Sequence, residues 1–209
     1  MAEVVAGIDV GAERKGCNLV ILRGTVVVCS LRAMAPEDVL APCLAHNVAA
    51  IGVDAPARWR SGSAARLAER ELARSGVSLF STPQRASALA STSGFYGWMF
   101  HGERVYQALA PHYPLLATPG YAGAPACFET FPHAITAAFL GHRTASARLK
   151  LGQRRQILAS AGIATSALRS IDAIDAALCA LAAQYLVAGR AQAFGDAAGG
   201  YIHIPAAAP

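Results

Sequence analysis

Three strand-like runs follow one another at the start of the chain and limit the folds that it can adopt. They are EVVAGIDVG, GCNLVILRG and TVVVCSL, which together cover residues 3 to 31. Arg23-Gly24 joins the second run to the third, and glycine readily adopts the backbone angles of a tight turn. Short connections favour antiparallel neighbours, whereas parallel neighbours need a long crossover. The sequence therefore predicts an antiparallel three-strand meander.

A helix and a fourth strand are predicted next. APEDVLAPCLAHN opens with Pro36 and two acidic residues, which suit the first turn of a helix. The apolar run VAAIGVD then ends at Asp54. A strand that follows a helix can join the sheet through a crossover connection. Together these elements predict an α/β fold with a mixed sheet.

Residues 58 to 125 have a different character. This segment is rich in Ser, Thr, Gly and Pro and contains two helical patterns, SGSAARLAERELARSG and a stretch near residues 98 to 109. Strand character returns at ACFETFP, and the almost wholly apolar SIDAIDAALCALAAQYLVAG predicts a buried helix. GDAAGGYIHIP is predicted to close the chain as a loop and a short strand. We therefore expect a single domain over residues 1–209 with a helical insertion at about 58–125.

The composition bears on location and partners. No apolar run reaches the roughly 18 residues that a membrane-spanning helix needs. Glu3, Asp9 and Glu13 interrupt the start of the chain, which lacks the pattern of a secretory signal. We therefore expect a cytoplasmic protein with no membrane partner. The net charge of +5 permits a polyanionic partner such as nucleic acid without demonstrating one.

Four aspartates lie inside apolar runs, where this residue type is uncommon. They are Asp9, Asp54, Asp172 and Asp175. Asp172 and Asp175 are three residues apart, so a helix would place them on one face, where two like charges raise each other's pKa unless a cation lies between them. Carboxylate oxygens suit Mg²⁺ or Mn²⁺. We interpret the four aspartates as ligands of a divalent metal pair.

Separate structural roles for these aspartates are the alternative interpretation. Asp54 would cap the turn before Pro56, Asp172 would cap the last helix, and Asp9 would bond to backbone N–H groups near Gly11. This alternative needs an independent explanation for each residue. A shared site explains all of them at once and is the favoured hypothesis.

The ordered motifs resemble the family called "domain of unknown function 429". The resemblance runs from Val5 to Pro205, and the motifs that carry it are GIDVGAERKG, IGVDAP, the R-x-x-x-R-x-x-x-R helix, FETFPHA, Lys150, IDAIDAALCALAA and GYIHIP. It implies a nuclease with a ribonuclease H-like fold, in which helices cover both faces of a mixed sheet. The order of the acids is also similar to that of the Holliday-junction resolvase branch of this superfamily.

The resemblance implies roles for the acids. Asp9 would bridge two metal ions, and Asp54, Asp172 and Asp175 would complete their coordination. One ion would generate the attacking hydroxide, and the other would stabilise the leaving oxyanion. Glu129 is interpreted either as a further ligand or as the buried partner of an arginine, and the first is preferred because FETFP centres on it.

Basic residues are the candidates for holding the phosphates of the substrate. They are Arg66, Arg70, Arg74 and Lys150. The three arginines recur at every fourth residue, so they form a stripe along one face of a helix. A solvated face is the ordinary explanation of such a stripe, and contact with a phosphate is the functional one.

Two other functions are compatible with the same sequence. Asp9-Val10-Gly11 also resembles the phosphate loop of sugar kinases and actin-like ATPases, which favours a nucleotide-binding phosphotransferase. Those proteins use two such domains, whereas this chain has half the needed length and Ala12-Glu13 follows its glycine. The third interpretation is a non-catalytic ribonuclease H-like binding domain, since fold does not determine function. The favoured prediction is a metal-dependent nuclease or phosphodiesterase acting on nucleic acid or another phosphoester.

Overall fold

The computed structural model of the chain describes residues 2–206. Those residues form strands, α-helices and one turn of 3-10 helix at Pro36–Val39. The strands are β1 (Val4–Val10), β2 (Cys17–Arg23), β3 (Val26–Met34), β4 (Ala50–Asp54), β5 (Ala126–Glu129), β6 (Ala191–Asp196) and β7 (Gly200–Pro205). The helices are α1 (Leu40–Ala45), α2 (Leu67–Arg74), α3 (Arg85–Leu89), α4 (Gly97–Leu109), α5 (Pro132–Leu140), α6 (Lys150–Ser160) and α7 (Ile171–Val187).

The strands form one mixed sheet in the order β3-β2-β1-β4-β5-β7-β6. β1, β2 and β3 are antiparallel neighbours, which confirms the predicted meander. β4 lies parallel to β1, and β5 lies parallel to both β4 and β7. The predicted mixed α/β sheet is therefore confirmed. Its parallel strands bring the carboxyl ends of β1, β4 and β5 to the same edge.

The short strand predicted after a loop is β7, but the strand before that loop, β6, is not predicted from the sequence. β6 and β7 form an antiparallel hairpin that extends the sheet beyond β5. The sequence of β6, AQAFGD, carries little apolar patterning because Phe194 is its one buried residue. A strand at the edge of a sheet can form through backbone hydrogen bonds without such a pattern, so sequence periodicity does not reveal it.

Helices cover both faces of this sheet. α7 packs on one face, where the core includes Val5 and Phe128. α4 and the segment of residues 36–45 pack on the other face, over Ile8 and Ile51. Within the segment at 58–125, α4 therefore belongs to the layered core, and α2 packs in a separate apolar cluster with β6 and β7. Among residues 2–206, no helix combines the length and the apolar character needed to cross a membrane.

Two glycines let α7 lie directly against the backbone of the sheet. A Cβ atom at Gly7 would overlap the carbonyl oxygen of Ala176, and one at Gly52 would lie 2.5 Å from the carbonyl oxygen of Cys179. Only a residue without a side chain fits where two backbones approach so closely. This contact fixes the height and the position of α7 over β1 and β4.

Gly7→Ala should lower the free energy of unfolding by at least about 1–3 kcal/mol, because the added methyl group forces the backbone of α7 away from the sheet. Gly62→Ala is the matched control, since nothing lies within 4 Å of a Cβ atom at that exposed position. The control should change stability by no more than about 0.5 kcal/mol. Urea unfolding measures both changes, and equal midpoints for the two variants would contradict the close packing of α7.

Candidate functional site

Asp9 and Asp54 are neighbours at the carboxyl ends of two parallel strands. β1 and β4 pair so that Asp9 lies opposite Asp54. Alternate residues of a strand share a face, and the residues two positions earlier, Gly7 and Gly52, contact α7. Both carboxylates therefore lie on the face that α7 covers. Within residues 2–206, neither accepts a hydrogen bond from a backbone N–H group, so the structural role considered for them is not seen.

α7 brings Asp172 and Asp175 to the same end of the sheet. Its cap is Ser170, whose hydroxyl accepts a hydrogen bond from the N–H of Ala173 (3.1 Å). Asp172 is therefore not the capping residue. The charges of Asp172 and Asp175 both act on Asp9. We call Asp9, Asp54, Asp172 and Asp175 the aspartate cluster.

Burial and repulsion raise the pKa of the two strand aspartates. Burial is the larger cause at Asp9, where the pKa rises from 3.8 to about 7, and repulsion by Asp175 and then Asp172 adds to it. Burial also raises the pKa of Asp54 well above its usual range, and the next causes are the charges of Asp9 and Asp175. The strand pair therefore binds protons more tightly than free aspartates do. A cation between the two carboxylates would allow both to ionise.

Arg154 on α6 neutralises Asp175. Its Nη1 donates to both carboxylate oxygens of Asp175, at 2.5 Å each, and both side chains are buried. Burial raises the pKa of Asp175 and the charge of Arg154 opposes that rise. Arg154 is a site residue that the sequence analysis does not identify. The available sequence signal is that Arg154 lies four residues after Lys150, which places both side chains on one face of α6.

Two lysines lie at the rim of the aspartate cluster. The Nζ atom of Lys15 is 4.0 Å from Oδ1 of Asp172 and its side chain is largely exposed. Lys150 is exposed at the first position of α6, and its charge lowers the pKa of Asp175. Positive charge beside a group of acids suits a ligand that carries a phosphate.

Glu129 lies on the opposite face of the sheet from the aspartate cluster. It is in register with Val53, so its side chain points away from α7. There it accepts two hydrogen bonds from Arg66, at 3.0 and 2.7 Å, and one from the N–H of Ala57 at 2.8 Å. Of the two interpretations of Glu129, this arrangement is that of a buried partner of an arginine. A metal ion shared with the aspartate cluster would need it on the other face.

The arginine stripe divides into buried and exposed members. The side chain of Arg66 is 2% exposed, and besides Glu129 it contacts Glu69 at 3.7 Å and the carbonyl oxygen of Gly199 at 3.0 Å. Its guanidinium is buried and bonded to groups within the protein, so it is not a free contact for a substrate phosphate. Arg70 and Arg74 are exposed. Arg70 also lines an open cleft beside residues 59–67.

The aspartate cluster is the candidate site for metal coordination. In the part of the chain that the structure describes, no group of three or more His, Cys, Asp or Glu side chains is arranged to hold a metal ion. Asp9 and Asp54 supply two carboxylates, and Arg154 holds the next candidate, Asp175. The donor chemistry therefore fits Mg²⁺ or Mn²⁺ at the strand pair, while the third ligand is engaged in an ion pair.

The pH dependence of stability should reveal the strand pair. Because the folded state binds protons at Asp9 more tightly than the unfolded state, the contribution of Asp9 to stability should be greatest below about pH 4 and should be lost as the pH rises to about 7. The rise in the pKa of Asp9 from 3.8 to about 7 corresponds to a change of about 4 kcal/mol in the free energy of unfolding. This figure is an upper limit because Asp54 shares the protons. Asp9→Asn should flatten the fall in metal-free urea unfolding measured across this range. Asp38→Asn, which removes an exposed carboxylate, should preserve it, and a flat wild-type profile would contradict the raised pKa.

Comparison with known protein families matches residues 7–198 to the family described as "Protein of unknown function (DUF429)". Comparisons with curated proteins and with solved structures gave no match. The matched range includes the whole aspartate cluster together with Arg154. Because the description of the family assigns no activity, a functional assignment has to rest on the site itself.

Proposed function

The chain belongs to the DUF429 family of proteins of unknown function, and we propose that it is a metal-dependent phosphodiester hydrolase, a nuclease with a ribonuclease H-like fold and a two-metal site. One observation carries the proposal: Asp9 and Asp54 lie side by side on parallel strands, next to Asp175. The positive charges near these two carboxylates are too weak to keep their pKa low. Buried acids are costly unless they are protonated, paired or bound to a cation.

The strand order supports the ribonuclease H-like part of this proposal. A meander of β1, β2 and β3, with β4 and β5 added in parallel beside β1, is the arrangement that the resemblance implies. In that arrangement the first strand lies centrally beside the fourth, and each ends in an acid. The hairpin of β6 and β7 is an addition at the far edge.

The residues of the aspartate cluster would hold the metal. Asp9 and Asp54 would bind Mg²⁺ or Mn²⁺ through their carboxylate oxygens, and Asp172 and Asp175 would be the further ligands, provided that the ion pair between Asp175 and Arg154 opens. Such ions activate a water molecule at neutral pH and stabilise the charge on the leaving oxygen. No side-chain nucleophile is then required.

The basic residues of the rim would position the substrate. Lys15 and Lys150 lie beside the aspartate cluster, where they would bind the phosphates on either side of the bond to be cleaved. Arg70 and Arg74 are exposed and would contact phosphates farther along the chain of the substrate. With a net charge of +5, the protein would attract nucleic acid before specific contacts form.

Mn²⁺ or Mg²⁺ at millimolar concentration should raise the melting temperature of the wild type, because an ion that binds the folded state alone adds about 2.7 kcal/mol of stability at a hundred times its Kd. Asp9→Asn should blunt the rise by removing a ligand, although this variant should be the more stable one without metal near neutral pH. Asp38→Asn should respond like the wild type. A wild type whose melting temperature is indifferent to both ions would contradict the metal site.

Cleavage of nucleic acid is the direct test of the activity. With Mn²⁺, the purified protein should cleave one or more of a single-stranded, a duplex and a branched substrate, as judged by gel electrophoresis. Asp9→Asn and Asp175→Asn should each abolish cleavage because either change removes a metal ligand, and Asp38→Asn should retain it. Circular dichroism would establish that the inactive variants are folded.

The negative outcomes of this assay have separate meanings. Cleavage that survives in Asp9→Asn would identify a contaminating nuclease and overturn the assignment of the site. Absence of cleavage together with saturable ATP binding would favour the phosphotransferase, since the same D-x-G sequence serves as a phosphate loop in that class of protein.

A further inference from the structure

A cavity of about 100 Å³ lies next to Asp54, at the carboxyl ends of β4 and β5. Its wall comes from the loop after β4, the end of β5, the loop between α2 and α3 and the first turn of α4. Residues that define it include Asp54, Pro56, Phe80, Trp98, Thr130 and Phe131. Because Asp54 belongs both to this wall and to the aspartate cluster, a ligand in the cavity would sit directly beside the proposed reaction centre.

The wall is mostly apolar and includes the aromatic side chains of Phe80, Trp98 and Phe131, of which Phe80 is exposed. Phe80 is 48% exposed, and its ring lies 5.3 Å from that of Phe95, which is 55% exposed. The ring of Tyr96 lies 6.2 Å from that of Phe80, so Phe95 and Tyr96, on the loop before α4, adjoin the cavity through Phe80 rather than lining it. Large aromatic side chains rarely gather at the surface of a protein without a binding role. Their faces are suited to stacking against another flat ring.

The polar groups of the wall fall into two kinds. Glu69 and Glu129 are occupied: Glu69 accepts from the N–H of Thr82 at 3.0 Å, and Glu129 is held by Arg66. Thr130 is fully buried, and within residues 2–206 its hydroxyl has no hydrogen-bond partner. Buried hydroxyl groups without partners are uncommon because the lost hydrogen bond with water is not replaced. Thr130 is thus the polar side chain of this wall left to a ligand, whereas the carboxylate of Asp54 belongs to the aspartate cluster.

We propose that this cavity binds one unpaired nucleobase of a single-stranded nucleic acid, with the adjoining phosphate at Asp9 and Asp54. The proposal rests on the proposed function and adds its substrate class. The aromatic side chains of the wall suit the face of a base, and the hydroxyl of Thr130 suits its hydrogen-bonding edge. The volume is below the roughly 300–1,000 Å³ of pockets for whole drug-sized ligands, which suits one ring system. A paired base could enter only after leaving its duplex.

Binding of matched strands tests the proposal independently of cleavage. Fluorescence anisotropy would compare a short single strand with an abasic strand of equal length and with a duplex, using Ca²⁺ in place of Mn²⁺ and checking that each strand stays intact. The wild type should bind the single strand on the order of tenfold more tightly than the abasic strand, since stacking of one base on an aromatic ring is worth about that factor. The duplex should bind no better than the abasic strand.

Two substitutions then locate the base. Phe80→Ala should remove most of the preference for the base-containing strand and leave abasic binding unchanged. Val26→Ala, which trims another exposed apolar residue at the far end of the sheet, is the control and should keep the preference. Thr130→Val keeps the shape of the side chain and should reduce the preference without lowering the melting temperature, because its hydroxyl makes no hydrogen bond inside the described part of the chain.

Each outcome decides the proposal. Equal binding of the base-containing and abasic strands by the wild type would overturn it, as would a preference that persists in Phe80→Ala. In either case cleavage that depends on Asp9 would leave the nuclease assignment standing. A Thr130→Val protein that melts at a lower temperature would show that the hydroxyl has a structural role, and it would remove that residue from the base site. Binding of no strand at all would overturn both the base site and the nuclease.

Discussion

The close contact between α7 and the centre of the sheet is the constraint on which the rest of the structure depends. Gly7 and Gly52 remove the side chains that would hold the helix away from β1 and β4. Two residues farther along each strand, the same face carries Asp9 and Asp54, and the turns of α7 that precede the contact carry Asp172 and Asp175. The packing that closes the core therefore also assembles the aspartate cluster. If α7 lay farther from the sheet by the width of one methyl group, these carboxylates would be farther apart and would repel each other less.

Arg154 is buried beside the aspartate cluster, and its charge acts unequally on the aspartates. Arg154 binds Asp175 directly, so its charge offsets the burial of that residue, whereas Asp9 and Asp54 feel it only at a distance. Removing one partner of a buried ion pair generally costs about 3–5 kcal/mol, so Asp175 is not released without a replacement for Arg154. A divalent ion would be such a replacement. Under the proposed function, binding of metal at Asp175 would therefore be linked to the position of α6, because Arg154 would have to move when another cation took its place.

The sequence predicts those features that depend on local pattern. The meander follows from the turn at Arg23-Gly24, and the aspartate cluster follows from carboxylates inside apolar runs. The face on which Glu129 lies depends instead on the register of β5 against β4, which is set by contacts between distant parts of the chain. Arg154 is hidden for a similar reason, since its role depends on the packing of α6 on α7. β6 is hidden because backbone pairing, rather than apolar periodicity, holds it in the sheet.

The two faces of the sheet show how the surroundings of an acid separate a structural role from a functional one. Glu129 is buried, but Arg66 and the N–H of Ala57 satisfy its carboxylate completely, and this contact holds the loop after β4 against β5. Asp54 ends the strand next to that loop and has no such donors within residues 2–206. The acid that the protein satisfies fixes the wall of the cavity, and the acid without such donors is the one that would serve the proposed reaction centre. A rigid wall matters here because a stacked base and its phosphate can be positioned together only if the loop between them does not yield.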